Sequence, residues 1–358
     1  MATLNTKIKK PAVLIAMSGG TDSSFAAYLL KKRGYAVTGI TMRVDEDTSQ
    51  IAKAKRVAEA IGIPHLVQDV RREFNLRVID YFCRQYSKGY TPNPCLACNR
   101  FIKFGLLFNA ATEQYDYFAT GHYARVIYEA MRKSYCLVKG KDRKKDQSYV
   151  LYMLTQKQLS RLLLPLGTYT KQIIRQRVKQ LRLPVDTESE SQDICFVRDE
   201  DYTSFIRKFR PDFKIACGKI KNIRGETLGE HKGYLNYTVG QRKGLGIAYK
   251  TPLYVAGIDA KKNEVVVGEE KDLFKRLFTV TDISFTAPRD IKQKFCAQVK
   301  IRYHHQPAKA QIRKVGRNSW QVEFFKPQKA ITPGQAAVFY KNERVLGGGI
   351  IDRVESRF

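Results

Sequence analysis

The sequence predicts an α/β fold, with a doubly wound parallel sheet followed by a small middle domain and a C-terminal β-barrel. Short β-branched runs alternate with helical stretches from residue 12 to about residue 120, as in sheets built from right-handed crossover units. Glycines, tyrosines and basic residues then crowd residues 218–246, where helical periodicity fades. From about residue 278 the apolar residues alternate with a period of two. We therefore predict domains at residues 1–203, 204–275 and 276–358.

The elements of the first domain follow from its apolar pattern. Residues 12–17 predict a buried strand, residues 23–33 a helix that ends at Gly34, and residues 36–41 the next strand. The same alternation predicts a helix at 50–61, a strand at 65–70, helices at 74–86 and 100–112, and a strand at 115–119.

The last 80 or so residues carry the strand pattern of a small barrel or sandwich. One predicted strand face consists of Phe295, Ala297, Val299, Ile301 and Tyr303, with Lys300 and Arg302 on the other face. Trp320, Val322 and Phe324 repeat the alternation, and a turn near residues 341–343 joins two further apolar runs.

The charge balance indicates a polyanionic partner. The 358 residues include 64 Lys plus Arg against 34 Asp plus Glu, which gives a formal net charge of +30. Such an excess favours binding of a polyanion over a merely basic, well-solvated surface. Charge alone does not distinguish RNA, DNA and a membrane surface.

The sequence predicts a cytoplasmic protein. It contains no run of about 18 apolar residues that could span a bilayer, and the N-terminal apolar run is too short for a secretory signal. Seven cysteines in so large a chain do not form the pattern of a disulfide framework.

A glycine-rich loop follows the first predicted strand. Residues 18–24 read SGGTDSS and open a helix, so backbone amides, hydroxyls and the helix N-terminus can all approach an anion. This context favours phosphate binding over an ordinary glycine turn capped by Asp22 or Ser23. Because no lysine completes a Walker sequence, γ-phosphate transfer of that kind is disfavoured.

Two cysteines lie in a proline-braced segment, residues 91–99, which reads TPNPCLACN. We expect a loop there that places Cys95 and Cys98 near the N-terminus of the helix predicted at residue 100, where thiolates are favoured. A zinc site would need two further ligands, and no second cysteine pair of this spacing exists in the sequence. Inert packing is the other alternative.

The sequence resembles a broad superfamily in one motif and a narrower family over nearly its whole length. The string SGGTDS is that of the PP-loop ATP pyrophosphatases, Rossmann-like enzymes that activate an oxygen as an adenylate and release pyrophosphate. The resemblance extends nearly end to end to the tRNA-specific 2-thiouridylases, which make 2-thiouridine at the wobble position. It is carried by residues 18–23, 93–99 (NPCLACN), 190–197 (ESQDICFV), 119–124 (ATGHYA), 145–149 (KDQSY), 240–246 (GQRKGLG), 302–303 (RY) and 333–335 (PGQ).

The resemblance implies a nucleotide site and a sulfur relay. Cys195 would carry a persulfide, and Cys98 would be the nucleophile that frees its terminal sulfur, unless that sulfur attacks the adenylated C2 of uridine directly. Freeing the sulfur would leave a disulfide bond between the two cysteines. The residues implied to bind ATP, accompanied by Mg²⁺, are Ala16, Met17, Ser18, Gly19, Gly20, Thr21, Asp22, Ser23, Met42 and Gly121.

The segment that would contact the target base departs from the family pattern. Asn93, Pro94 and Cys95 match it, but the family usually has Asp where this chain has Cys95, so a role for that carboxylate is in doubt here. A thiol could serve instead, or Cys95, Cys98 and Cys195 could together ligate an iron–sulfur cluster.

The resemblance also implies a transfer RNA partner, with acceptors for Lys, Glu and Gln, and a persulfide sulfur donor or relay protein. No membrane or DNA partner is implied. Stacking and edge contacts would recognise the anticodon loop, while phosphates would supply salt-sensitive affinity. The further positions implied to contact tRNA are His122, Lys145, Asp146, Gln147, Arg302, Tyr303 and Gln335.

Two other functions compete with tRNA thiolation. A PP-loop synthetase for a small acidic metabolite explains the loop but not the cysteines or the net charge. A non-catalytic RNA-binding protein explains the charge but leaves residues 18–24 without a role.

Overall fold

A computed structural model gives the positions of residues 10–186, 194–197, 201–213, 216–288 and 291–355. The chain divides into two units, the first made of Met1–Asn75 with Cys98–Glu190 and the second of Leu76–Ala97 with Ser191–Phe358. Residues 76–97 therefore belong with the C-terminal part of the chain rather than with their neighbours in sequence. No helix within the described ranges is long and apolar enough to cross a membrane.

Most strands of the first unit alternate with helices, except the three successive ones within residues 117–139, whereas most strands of the second unit follow one another. The strands are β1 (Ala12–Ala16), β2 (Ala36–Arg43), β3 (His65–Asp69), β4 (Tyr117–Ala119), β5 (Ala124–Glu129), β6 (Ser134–Lys139), β7 (Leu162–Leu163), β8 (Gly218–Asn222), β9 (Thr227–His231), β10 (Tyr254–Asp259), β11 (Glu264–Gly268), β12 (Phe274–Phe285), β13 (Lys294–Lys300), β14 (Ala308–Lys314), β15 (Trp320–Lys329), β16 (Ala336–Lys341) and β17 (Arg344–Val354).

The α-helices are α1 (Thr21–Lys32), α2 (Ser49–Ile61), α3 (Arg71–Phe74), α4 (Asp80–Ser87), α5 (Pro94–Ala97), α6 (Phe108–Gln114), α7 (Gln156–Ser160), α8 (Lys171–Gln180) and α9 (Tyr202–Phe209). Two π-helical segments, Asn75–Ile79 and Cys98–Leu107, connect α3 to α4 and α5 to α6. Single 3₁₀ turns lie at Ala130–Arg132, Ser148–Leu151, Tyr234–Asn236 and Glu270–Leu273.

The first unit contains the predicted parallel sheet, in the strand order β3-β2-β1-β4-β7. Its core joins the sheet to helices on its face: Val13 and Ile15 of β1, Phe25 of α1 and Ile174 of α8 belong to one buried cluster. In such a sheet the carboxyl ends of β1, β2 and β4 meet at one edge, which is where ligands bind in open α/β folds.

The second unit contains a four-stranded sheet and a closed barrel. The sheet has the order β10-β11-β8-β9, so the region predicted as loop-rich also carries regular strands. The barrel runs β12-β15-β14-β13-β16-β17 and closes through the pairing of β12 with β17. Its interior holds Ala297, Val299, Val322 and Phe324, which confirms the predicted alternation.

The fold class and the predicted elements of the first domain are confirmed within a few residues. The hairpin of β5 and β6 was not predicted, although its register from Ala124↔Lys139 to Glu129↔Ser134 is regular. The helix expected from residue 100 begins earlier, at Pro94. Asn93 Oδ1 accepts a hydrogen bond from the Cys95 amide at 3.0 Å, and proline fits the first helical position, so Asn-Pro starts the helix.

Candidate active site

The glycine-rich loop connects β1 to α1. Within the described residues, no side chain of the N-cap residue accepts a hydrogen bond from the first-turn amides of α1. Gly20 is the N-cap and supplies no side chain, while Ser23 and Ser24 donate their hydroxyls to the Gly20 carbonyl at 3.2 and 2.8 Å. The first amides of a helix have no intrahelical partner, so this N-terminus can take an anion.

Gly19 must be glycine for two separate reasons. Its φ is +72°, in the left-handed region, and a Cβ there would lie 2.7 Å from Lys53 Cβ and 2.8 Å from the Ala54 amide nitrogen. The loop therefore packs closely against α2, which fixes the path of its backbone.

Asp22, in the first turn of α1, is the polar centre of residues 18–24. One of its carboxylate oxygens, Oδ1, accepts hydrogen bonds from the Tyr123 hydroxyl at 2.6 Å and from Lys171 Nζ at 2.7 Å. Burial, together with the neighbouring Asp22 carboxylate, raises the pKa of Tyr123, so the phenol stays protonated and donates. Lys171 opens α8 and places a half-buried ammonium beside the loop that lacks a Walker lysine.

Tyr123 and Lys171 are the residues that the sequence analysis did not single out. A signal for Lys171 was present, because a lysine in the first turn of a helix opposes the helix dipole and so indicates another use for its charge. Its Asp22 partner lies 149 positions away in sequence, which hid the pairing.

After β4, the backbone at Gly121 packs directly against the backbone of the glycine-rich segment. A Cβ on Gly121 would lie 3.0 Å from the Ser23 amide nitrogen and 3.1 Å from the Asp22 carbonyl carbon. Gly121 thus lies against the glycine-rich loop, while its role in ATP binding stays a prediction. Met42 lies in β2, at the same carboxyl edge of the sheet.

Three positions predicted to contact tRNA have internal partners in the first unit. The buried His122 ring lies 2.8 Å from Thr120 Oγ1, and burial lowers its pKa, so it is neutral. The buried Asp146 carboxylate accepts from the amides of Gly140 and Ser148 and from the Ser148 hydroxyl. Gln147 Oε1 accepts from the Tyr123 amide at 2.9 Å. The tRNA contacts of these three residues stay predictions. The same holds for Lys145, which lies in the turn just before Asp146.

The two cysteines of the TPNPCLACN segment differ in setting. Cys95 is exposed in α5, and Cys98 is half-buried where the π-helical segment Cys98–Leu107 begins. The expectation that both lie in a loop before the helix is wrong, because the Asn93–Pro94 cap starts the helix before them. π-helical turns occur frequently at functional sites.

Two predicted base- and tRNA-contacting segments meet within the second unit. The Thr91 amide donates to the Pro333 carbonyl at 2.9 Å, and Gln335 Nε2 donates to the Thr91 carbonyl at 2.8 Å. Tyr90 also donates to Asp352 Oδ1 at 2.8 Å. The segment that carries Asn93, Pro94 and Cys95 is thereby fixed to the barrel.

Cys195 is exposed in a short turn of the second unit, where the Val197 amide donates to the Ile194 carbonyl. The next residue, Phe196, anchors the turn, because its ring packs against those of Phe82 and Phe205. The distances between ring centroids are 5.4 Å and 5.2 Å. The neighbouring motif residues 190–193 lie outside the described residues. Cys98 belongs to the first unit and Cys195 to the second.

Arg302 and Tyr303 lie in the turn after β13, which ends at Lys300. The prediction that they fall on opposite faces of one strand is wrong, because the chain turns there and the His305 amide donates to the Arg302 carbonyl. The Arg302 guanidinium donates to the carbonyls of Lys329 and Ala330.

The structure contains no disulfide among the seven cysteines, all of which lie in described ranges. Within those ranges no group of three or more His, Cys, Asp or Glu side chains is arranged to hold a metal ion. The iron–sulfur hypothesis therefore stays a hypothesis.

Comparison with known proteins assigns the family. Profiles described as the tRNA methyl transferase HUP domain, the tRNA methyl transferase PRC-barrel domain and the aminomethyltransferase beta-barrel domain match residues 11–199, 204–269 and 275–351. The tRNA-specific 2-thiouridylase MnmA of Carboxydothermus hydrogenoformans is 45% identical over 97% of this chain and 99% of its own length. The chain belongs to the tRNA-specific 2-thiouridylase family. The tRNA-specific 2-thiouridylase MnmA of Clostridioides difficile is 43% identical over 95% of this chain and 98% of its own length.

A solved 4-thiouridine synthetase–RNA complex with bound ATP matches at 17% identity over 57% of this chain and 51% of its own, with a TM-score of 0.37. That likeness is too loose to refine the assignment. The thiouridylase relatives instead cover 97% and 95% of this chain.

Substituting Gly19 tests whether this 2-thiouridylase binds nucleotide at the loop. Gly19→Ala places a methyl group against α2 and strains a left-handed backbone, so we expect ATP affinity to fall at least about tenfold, or ~1.4 kcal/mol. Titration calorimetry of ATP measures it. Gly34→Ala is the matched control, since Gly34 has a φ of +90° but nothing within 4 Å of its Cβ position. Equal ATP affinity in both variants would refute a loop site.

Substituting Lys171 tests the cation at Asp22. We expect Lys171→Met to slow ATP-dependent AMP formation by about a hundredfold, because one preorganised charge on a transferring phosphate group has that magnitude. Lys171→Arg should retain part of the rate. Lys179→Met, at an exposed position on the same helix, should leave it unchanged, and a Lys171→Met enzyme as fast as this control would exclude the role.

Proposed function

We propose that the chain is a tRNA-uridine 2-sulfurtransferase that activates C2 of the wobble uridine with ATP and replaces the oxygen with sulfur. The observation that carries the proposal is the loop at residues 18–24, centred on Asp22, in a chain of the 2-thiouridylase family. The uridine oxygen attacks the α-phosphorus of ATP, pyrophosphate leaves, and the adenylated oxygen becomes a leaving group. The helix N-terminus of α1 and the ammonium of Lys171 support this step because both favour phosphate charge.

Magnesium would accompany ATP and neutralise charge on its phosphates. The site offers the hard oxygen donors that this ion prefers, namely the Asp22 carboxylate and the hydroxyls of Ser18 and Ser23. Asp22 itself serves the loop by orienting Tyr123 and Lys171.

The sulfur would come from a persulfide on Cys195, loaded by a donor or relay protein. In one version its terminal sulfur attacks C2, and AMP departs with the former uridine oxygen. The Cys98 thiolate then attacks the Cys195 sulfur, which breaks the S–S bond, releases 2-thiouridine and leaves a Cys98–Cys195 disulfide for an external thiol to reduce. In the other, the Cys98 thiolate attacks the Cys195 sulfur, hydrosulfide leaves and attacks C2, and a Cys98–Cys195 disulfide remains for an external thiol to reduce. The exposure of Cys195 suits loading by a second protein.

Transfer RNA would be held largely by the second unit. The segment with Asn93, Pro94 and Cys95 follows Thr91, whose carbonyl accepts a hydrogen bond from Gln335 Nε2 of the barrel. Lys300 Nζ lies 5.3 Å from the ring centroid of Tyr303, in the turn that also holds Arg302. Aromatic rings and cations are the groups that recognise an unstacked anticodon loop. We propose tRNAs for Lys, Glu and Gln as substrates, the cytoplasm as the location, and the divisions 1–203, 204–275 and 276–358 as functional domains.

A complete reaction tests the proposal. Protein, ATP, Mg²⁺, unmodified tRNA and a persulfide donor should yield AMP, pyrophosphate and 2-thiouridine, measured by nucleoside mass spectrometry. Cys195→Ala and Cys98→Ala should each abolish 2-thiouridine while ATP binding persists, whereas Cys217→Ala, at another exposed cysteine, should not. Formation of ADP, or thiolation untouched by Cys195→Ala, would overturn the mechanism. AMP formed at full rate without tRNA would favour a small-metabolite synthetase, and RNA binding without AMP formation would favour a non-catalytic protein.

The two-thiol relay is the version that we propose over an iron–sulfur cluster on Cys95, Cys98 and Cys195. Protein purified without oxygen should be colourless and still active. A visible absorbance band that is lost together with activity on chelation would favour the cluster instead.

A further inference from the structure

Asn99, the residue after Cys98, holds the start of the π-helical segment. Its side chain is 2% exposed, and Nδ2 donates to the Val150 carbonyl at 3.0 Å. Its Oδ1 is buried without a hydrogen-bond partner among the described residues. A buried acceptor without a partner is costly, so an apolar residue of the same shape would be expected here if packing alone mattered.

The segment that Asn99 contacts is itself tied to the nucleotide loop. The Val150 amide donates to the Gln147 carbonyl at 3.1 Å. Gln147 and Tyr123 then bond reciprocally: Gln147 Oε1 accepts from the Tyr123 amide and the Gln147 amide donates to the Tyr123 carbonyl, both at 2.9 Å. The Tyr123 hydroxyl donates to Asp22. A continuous set of hydrogen bonds thus joins Asp22 to the residue beside Cys98, entirely within the first unit.

We propose that Gln147 and Asn99 are positioning residues that couple occupancy of the nucleotide loop to the reactivity of the Cys98 thiol. The inference rests on the proposed function of the loop and of Cys98, and it assigns Gln147 a task that needs no tRNA. When ATP binds residues 18–24, it restrains Asp22 and therefore Tyr123 and Gln147, which follow Asp22 in the set of hydrogen bonds. This restraint extends to the turn at Val150. Asn99, bonded to Val150, then restrains the start of the π-helical segment, which carries Cys98. The thiol is thereby held in one orientation when the nucleotide is present.

The direction of the effect follows from this restraint. A thiol that moves less reaches fewer orientations open to an added alkylating agent, so nucleotide binding slows its modification. A direct effect of nearby phosphates on the thiol would also slow modification, but it would not depend on Gln147. The side chain of Gln147 therefore separates the two causes.

The experiment measures the alkylation rate of Cys98 by iodoacetamide, followed by peptide mass spectrometry, in the full chain without tRNA or a sulfur donor. The probe is the α,β-methylene analogue of ATP with Mg²⁺, at a concentration that calorimetry shows to be saturating for each protein. We expect the analogue to slow wild-type alkylation about fivefold, the lower end of typical coupling between sites. Gln147→Met should abolish this ratio, while Gln147→Glu, which keeps an acceptor for the Tyr123 amide, should retain it.

Gln158→Met is the matched control. Gln158 Nε2 donates to the Phe104 carbonyl at 2.6 Å, so it anchors the same π-helical segment from outside the connection to Asp22. It should keep the fivefold ratio. If Gln147→Met does not fold, Asn99→Leu serves as the second variant. It removes the hydrogen bond from Asn99 Nδ2 to the Val150 carbonyl and should abolish the effect of the analogue on the alkylation rate.

Three outcomes would overturn the inference: no analogue effect on the wild type despite binding, an effect that survives the loss of Gln147 Oε1, or an equal loss in Gln158→Met. Failure of the wild type to bind the analogue at all would instead count against the proposed function of the loop.

Discussion

The hydrogen-bonded carboxylate of Asp22 is the interaction on which the first unit's site depends. It joins three separate pieces of chain: the loop after β1, Tyr123 after β4 and Lys171 at the start of α8. The sheet brings these pieces to one edge, because the carboxyl ends of parallel strands meet there. Without Asp22 the phenol would lose its acceptor and the ammonium its counter-charge, both in a partly buried setting where such losses are costly.

The sequence predicts those features whose causes lie close together along the chain. The parallel sheet and the barrel alternation arise from local periodicity, and both are confirmed. Phosphate binding by residues 18–24 stays a prediction. Lys171 was missed because its partner is distant in sequence. The sequence does not predict the helix start at Pro94, because an Asn-Pro pair is compatible with a rigid loop as well as with a helix cap. The strand expected through Tyr303 ends earlier, because β13 stops pairing at Lys300 with Val338.

The two units hold different parts of the proposed site. The first unit holds the glycine-rich loop and Cys98, and the second holds Cys195 together with the segment of Asn93, Pro94 and Cys95 fixed to the barrel. Several positions that the family resemblance links to tRNA, among them Asp146 and Gln147, have side chains bonded inside the first unit. Their identity can therefore be required by the architecture of the site as well as by any RNA contact.

In the proposed reaction the uridine oxygen leaves on the α-phosphate of ATP. The most direct measurement uses tRNA whose target uridine carries ¹⁸O at C2, followed by mass spectrometry of the nucleotide product after one turnover. We expect the AMP to gain one ¹⁸O atom for each 2-thiouridine formed. Recovery of the label in water or inorganic phosphate, with unlabelled AMP, would contradict adenylation of the uridine.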